Sequence, residues 1–135
     1  MIKIGVVGSR RRNTQYDKDL IMAYVHGILT MTTDNDDETS IENVEFVSGE
    51  CPLGADRFIK EICNEMKLNY KGFPPNLPPS GSPKYEYVNA FYARNKQIAD
   101  YVDVLVTLRA PDKKGGTENT IKYFTDTPGR MLICL

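Results

Sequence analysis

Tryptophan is absent from this 135-residue chain, histidine occurs once and cysteine three times. The lone His26 lies inside a helical pattern with no Cys or His at metal-ligand spacing. A structural place is expected for it, and zinc hydrolysis and histidine-based triads are set aside. Cys51, Cys63 and Cys134 form no CxxC and leave an odd one over, which points to reduced thiols rather than a disulfide framework. No apolar run approaches the ~18 residues that a membrane span needs. The opening residues Met1 to Val7 lack the charged, apolar and cleavage regions of a signal peptide. A cytoplasmic protein with no membrane partner is therefore expected. An excess of either charge is missing too: 17 Lys and Arg face 18 Asp and Glu, a formal net charge of -1. That balance argues against a general basic surface for duplex DNA.

What is present suits one domain over residues 1–135. Hydrophobic residues make up 41% and charged residues 26%, enough apolar material to build a core and exclude wholesale disorder. Ile2 to Val7 is a short β-branched run ending in Gly8-Ser9, the pattern of a strand buried on both faces. Thr14-Gln15-Tyr16-Asp17 has the form of a capping box and opens a helix. In that helix Leu20, Ala23, Tyr24, Gly27, Ile28 and Met31 recur at three- and four-residue steps, so a broad buried face is expected. Val44 to Val47 reads as a second strand, 54–67 as a second helix and 69–73 as a weak third strand. Five of the eight prolines fall in residues 74–84, a loop. Then follow a helix over 85–99, a strand over 102–108, a helix over 117–124 and a strand over 131–135. Alternating strands and helices predict an α/β fold with a parallel sheet and right-handed crossovers.

The acidic run Asp34-Asn35-Asp36-Asp37-Glu38 has carboxylates at alternate positions, and Glu45 stands where a calcium loop places its bidentate Glu. Thr39, however, occupies the position that needs glycine, and Glu45 belongs to a predicted strand. A solvated acidic loop is the reading adopted, and no metal or other cofactor is assigned.

In open parallel sheets ligands bind beyond the carboxyl ends of the strands, where strand order reverses. Three glycine-bearing segments fall at such ends: Gly8-Ser9-Arg10 with Arg11 and Arg12, then Ser48 to Arg57, then Lys113-Lys114-Gly115-Gly116-Thr117. Glycine lets backbone amides approach an anion, and a helix N-terminus adds roughly half a positive charge. Each segment alone is open to a plainer reading as a tight turn, a solvated basic run or a loose connection. Together, at equivalent strand ends, they point to a phosphate cradle. Neither GxGxxG nor GxxxxGK[ST] is present.

Gly8-Ser9-Arg10, Val47 to Asp56, Ala93-Arg94-Asn95-Lys96-Gln97-Ile98-Ala99 and Gly115-Gly116-Thr117, in that order, resemble the SLOG superfamily. That Rossmann-like group includes cytokinin-activating phosphoribohydrolases and the DNA-processing protein A family. The resemblance implies a three-layer sandwich with a mainly parallel five-stranded sheet of order 3-2-1-4-5. It also implies a nucleotide or nucleotide-derived ligand between strands one and four. By position, Gly8, Ser9 and Arg10 would line one wall, and Gly49, Gly54 and Asp56 would hold the second loop. Arg94 would match the hydrolases' site arginine, with Asn95 beside it, and Gly115, Gly116 and Thr117 their phosphate-binding turn. Asp56 has the alternative of only bonding loop amides, and Arg94-Asn95 of only tying the third helix to a loop.

The hydrolases place a catalytic Glu three residues after that threonine, and here Thr120 stands there. A hydroxyl neither stabilises positive charge on a ribose nor activates water well. Glu118 would point roughly 160° away around the helix, at about 100° per residue, and Glu50 sits on another loop. Arg94, Glu118 and Glu50 thus remain the catalytic candidates for an N-glycosidic hydrolase reading. Phe91, Arg94, Asn95, Ile98 and Ala99 also resemble the DNA-processing branch, in which Tyr85, Tyr87, Phe91 and Tyr92 would stack on single-stranded bases. The commoner use of such aromatics is core or interface, and a homo-oligomer built on this helix is expected.

Overall fold

A computed structural model of the chain describes residues 1–33 and 43–135. The acidic run from Asp34 to Glu38, with Thr39, lies outside the described residues. Among the described residues nine elements alternate: β1 (Ile2–Gly8), α1 (Gln15–Thr33), β2 (Val44–Ser48), α2 (Ala55–Met66), β3 (Asn69–Gly72), α3 (Lys84–Tyr101), β4 (Val104–Leu108), α4 (Gly116–Thr125) and β5 (Met131–Cys134). All strand pairs are parallel, and the sheet order is β3-β2-β1-β4-β5. The α/β class and the 3-2-1-4-5 order expected from the sequence are both present.

The continuous apolar runs have a simple cause. Successive strand side chains point to opposite faces, and both faces are covered. Ile4, Val6, Val44, Phe46, Val106 and Leu108 pack with Ile21 and Val25 of α1 and with Phe58, Ile59 and Ile62 of α2. Val7, Val47 and Leu105 turn the other way, onto Ile98 and Ala99 of α3 and Ile121 and Phe124 of α4. The result is a three-layer sandwich.

Two details depart from the expected pattern. Among the described apolar residues of α1 only Ile21 and Val25 are fully buried, with Leu20, Met22, Tyr24, Ile28 and Leu29 flanking them, whereas Ala23, Gly27 and Met31 are exposed. Ala23 and Gly27 each follow a buried residue by two positions, about 200° around the helix, and so face solvent. Strand β4 starts at Val104 rather than Val102, because Val102 closes α3 by donating its amide to Ile98 O.

Three polar devices set the loops. Thr14 and Asp17 form the expected capping box: the Asp17 amide donates to Thr14 Oγ1, and the Thr14 hydroxyl and amide donate to Asp17 Oδ2. Arg12 donates through Nε to Asp17 Oδ1 at 3.0 Å and through Nη1 to Leu135 O at 2.7 Å. Arg130 donates to Ala99 O, Val102 O and Phe124 O, capping the ends of α3 and α4 together. Of these three, the sequence pattern indicates only the capping box. His26 lies exposed on α1.

Candidate functional site: a crevice at the strand carboxyl ends

The chain runs from β1 outward to β3, then crosses to β4 on the other side of β1, so strand order reverses between β1 and β4. A crevice of about 580 Å³ opens at that place, within the range of small-ligand sites. Gly8, Ser9, Arg10 and Arg11 line it from the β1–α1 loop, and Gly49, Cys51 and Asp56 from the β2–α2 side. Lys114, Gly115, Gly116, Thr117 and Thr120 line it from the β4–α4 side. Its remaining wall is α3, through Val88, Phe91, Tyr92, Arg94, Asn95 and Ile98. Of the residues singled out from sequence, Gly8, Ser9, Arg10, Gly49, Asp56, Arg94, Asn95, Gly115, Gly116 and Thr117 all meet here. Gly54 does not. It is buried behind the loop, and its amide donates to Asn13 Oδ1 at 2.8 Å.

The three glycine loops differ in what their amides already bond. In the first, Ser9 N donates to Leu108 O, Arg11 N to Ser9 Oγ and Arg12 N to Ser9 O. A Cβ on Gly8 would stand 2.9 Å from Ala55 Cβ and from Leu108 Cβ, so only glycine lets this turn close on its neighbours. In the second loop, Cys51 N donates to Asp56 Oδ2 at 3.1 Å and Gly49 also bonds that carboxylate. A protein carboxylate therefore fills the second nest. In the third loop, Gly115 takes φ 118, a left-handed value suited to glycine, and caps α4 with no side-chain hydrogen bond. The amides of Gly115, Gly116 and Thr117 have no partner among the described residues. Helix starts leave such donors unsatisfied, and they attract anions. The start of α2 likewise lacks a side-chain cap, but Ala55 and Arg57 do not line the crevice, so only the third loop sets three successive open residues along it.

The cations around the crevice differ in the same way. Arg11 is held bidentately by Asp112 at 2.9 and 2.6 Å and reaches Lys114 O, joining the first and third loops. Arg10 is exposed, and its side chain makes no hydrogen bond or ion pair among the described residues. Arg94 donates through Nη1 to Gly49 O and through Nε to Asn95 Oδ1. Asn95, buried, passes the connection on by donating to Gly116 O and to Asn119 Oδ1. Arg94 and Asn95 thus line the crevice and also tie α3 to its two neighbouring loops. Burial lowers the Arg94 pKa, with Asp56 pulling the other way.

The carboxylates separate into two groups. Glu118 forms a bidentate pair with Arg109 at 2.8 and 2.7 Å, which holds its carboxyl below the usual range. Glu50 accepts from Lys60 at 2.6 Å and from Tyr70 at 2.9 Å, and its carboxyl is likewise lowered, first by Lys60. Neither Glu118 nor Glu50 lines the crevice. Thr120 does, but it is buried and its hydroxyl donates back to Gly116 O at 3.3 Å. Asp56 is the one carboxylate lining the crevice among the described residues. Burial pushes its carboxyl up to about 6, against the opposing amides and the Arg94 charge.

Sequence reasoning missed Val88 and Ile98 as crevice lining. Their spacing on α3 signals core, and only the topology reveals that the same face forms a wall. Comparison with protein-family models, with curated proteins and with solved structures yields no match.

Proposed function

We propose that the crevice binds a nucleotide or nucleotide-derived ligand, with its phosphate on the amides of Gly115, Gly116 and Thr117. The observation that carries this reading is the uncapped start of α4, opening into a crevice whose far wall is apolar and aromatic. Arg10 and Lys114 supply charge near the phosphate end, and Phe91 and Tyr92 supply faces for a base. The reading agrees with what the SLOG resemblance implies. Hydrolysis of an N-glycosidic bond is disfavoured, because Glu118 and Glu50 are both bonded elsewhere and Thr120 offers no carboxylate. Self-association through α3 is part of the proposal: Tyr85 and Tyr92 are 63% and 44% exposed there. Light scattering at tens of micromolar checks it, and a monomeric mass refutes it.

Thermal unfolding with two ligand sets tests the binding reading. Adenosine monophosphate or other mononucleotides raise the melting temperature if they bind the folded state alone. Oligonucleotides that bind with steep salt dependence, beside inert mononucleotides, would instead establish a nucleic-acid groove.

A further inference from the structure

Asp56 occupies an unusual position for a carboxylate. It lies in the first turn of α2, only 6% exposed, and its Oδ2 takes up the amides that would otherwise make the β2–α2 loop a second anion nest. The charged and titratable groups around it come from four elements. They are Arg94 of α3, Cys51 and Glu50 of the β2–α2 loop, Tyr70 of β3 and, beyond Arg94, Arg10 of the β1–α1 loop. Among the described residues Arg94 is the only cation acting directly on Asp56, yet its Nη1 is committed to Gly49 O and it lies beyond ion-pair distance of the carboxylate. The negative charge is thus held mainly by backbone dipoles, inside the same crevice that faces the open α4 amides.

We propose that an anion entering this crevice draws a proton onto Asp56, so that the site takes up a proton as it takes up its ligand. The inference rests on the reading of the crevice as an anion site and adds its regulation. Two like charges in one partly buried crevice disfavour each other. A like charge sharing the crevice, at an effective dielectric near 20, moves a carboxyl midpoint upward by on the order of one pH unit or more. Burial already places the Asp56 midpoint at about 6, so a shift of that size carries it to neutrality or past it. The neutral carboxyl still accepts the Cys51 amide, so the loop keeps its shape. Affinity for an anion then falls as pH rises above about 6, at most tenfold per pH unit, and levels off below.

Inorganic sulfate is the probe, because its charge stays fixed across the titration. The Asp56 carboxyl carbon is followed by NMR in the ligand-free protein and at saturating sulfate, with Asp56→Asn identifying the signal. The expected result is a midpoint that rises by one pH unit or more with sulfate. Sulfate affinity should decline with pH in the wild type and stay level in Asp56→Asn. An unchanged midpoint, a pH-independent wild-type affinity or no sulfate binding at all overturns the proposal. Should Asp56→Asn fail to fold, sequential assignment identifies the wild-type signal and the midpoint comparison stands on its own. Adenosine monophosphate stabilising the protein while sulfate leaves Asp56 unmoved would defeat this inference and spare the nucleotide reading. Sulfate moving Asp56 while no nucleotide stabilises the protein would do the reverse.

Discussion

Asp17 and Asp56 share a residue type, a place in the first turn of a helix and a relative exposure of 6%. Burial pushes both carboxyls upward, but the outcome differs. At Asp17 the Thr14 hydroxyl and amide, with Arg12 Nε at 3.0 Å, outweigh burial and hold the group below the usual range. At Asp56 the amides and a nearby but unpaired Arg94 do not, and the carboxyl rises to about 6. Two things account for the difference: Asp56 lies far deeper, so desolvation weighs much more on it, and Asp17 has the Thr14 hydroxyl and amide, then a direct Arg12 pair, where Asp56 has two amides and an unpaired Arg94. Asp17 closes a capping box outside the crevice, whereas Asp56 lines the crevice and keeps a charge that can change. Equal surface exposure therefore does not imply an equal role: depth in the protein and the bonds around the carboxyl separate the structural carboxylate from the responsive one.

Removing the ion pair is the hardest test of that contrast. Arg12→Ala leaves Asp17 buried without its cation and also removes the bonds to Leu135 O and Arg109 O. A loss of about 3–5 kcal/mol is expected in urea unfolding, the scale for a buried pair broken on one side. A loss under about 1 kcal/mol would show that Arg12 does not hold Asp17.

The next largest effect is in the pH dependence, where the two aspartates act with opposite sign. A raised carboxyl binds its proton more tightly in the folded state, so its contribution favours the fold at low pH and is lost as pH rises from about 4 to about 6. For Asp56 this amounts to something on the order of 3 kcal/mol. The lowered carboxyl of Asp17 contributes stability at neutral pH that disappears as pH falls through its folded value. Urea midpoints measured against pH for wild type and Asp56→Asn isolate the first term. The difference between the two curves should slope between about pH 4 and 6 and be level above; a level difference throughout contradicts it.

Arg94→Ala sharpens the contrast from the cation's side. Because Arg94 braces Gly49 O and Asn95, the ligand-free protein should lose about 1–2 kcal/mol in thermal or urea unfolding. Nucleotide affinity should fall by about 2 kcal/mol in calorimetry, the scale of one charge-assisted hydrogen bond. The smallest effect belongs to Glu118→Gln. Its pair with Arg109 is partly exposed, so a loss of about 1 kcal/mol or less is expected. Nucleotide binding, followed by the same calorimetry, should not change.

Strand and helix positions, though not every limit, were legible because periodicity records which faces are covered, and the strand runs here alternate between two cores. The glycine loops were legible as neighbours only through the SLOG resemblance, which implies the strand order that places β1 and β4 side by side. Which amides remain open was not legible. Gly54 is silenced by Asn13, 41 positions earlier, and Arg130 caps helices from beyond both. Such partners are set by three-dimensional proximity, and no local spacing encodes them. For the same reason Asp56 was readable as a loop residue, but its missing ion pair was not.

Backbone amide shifts of the ¹⁵N-labelled protein, titrated with adenosine monophosphate at constant pH, test the nucleotide crevice most directly. The largest changes should fall on Gly115, Gly116 and Thr117, with smaller ones along Phe91 to Asn95, and the Gly54 amide held by Asn13 should barely move. Changes centred elsewhere on the surface, or none at saturating nucleotide, would contradict the assignment of this crevice.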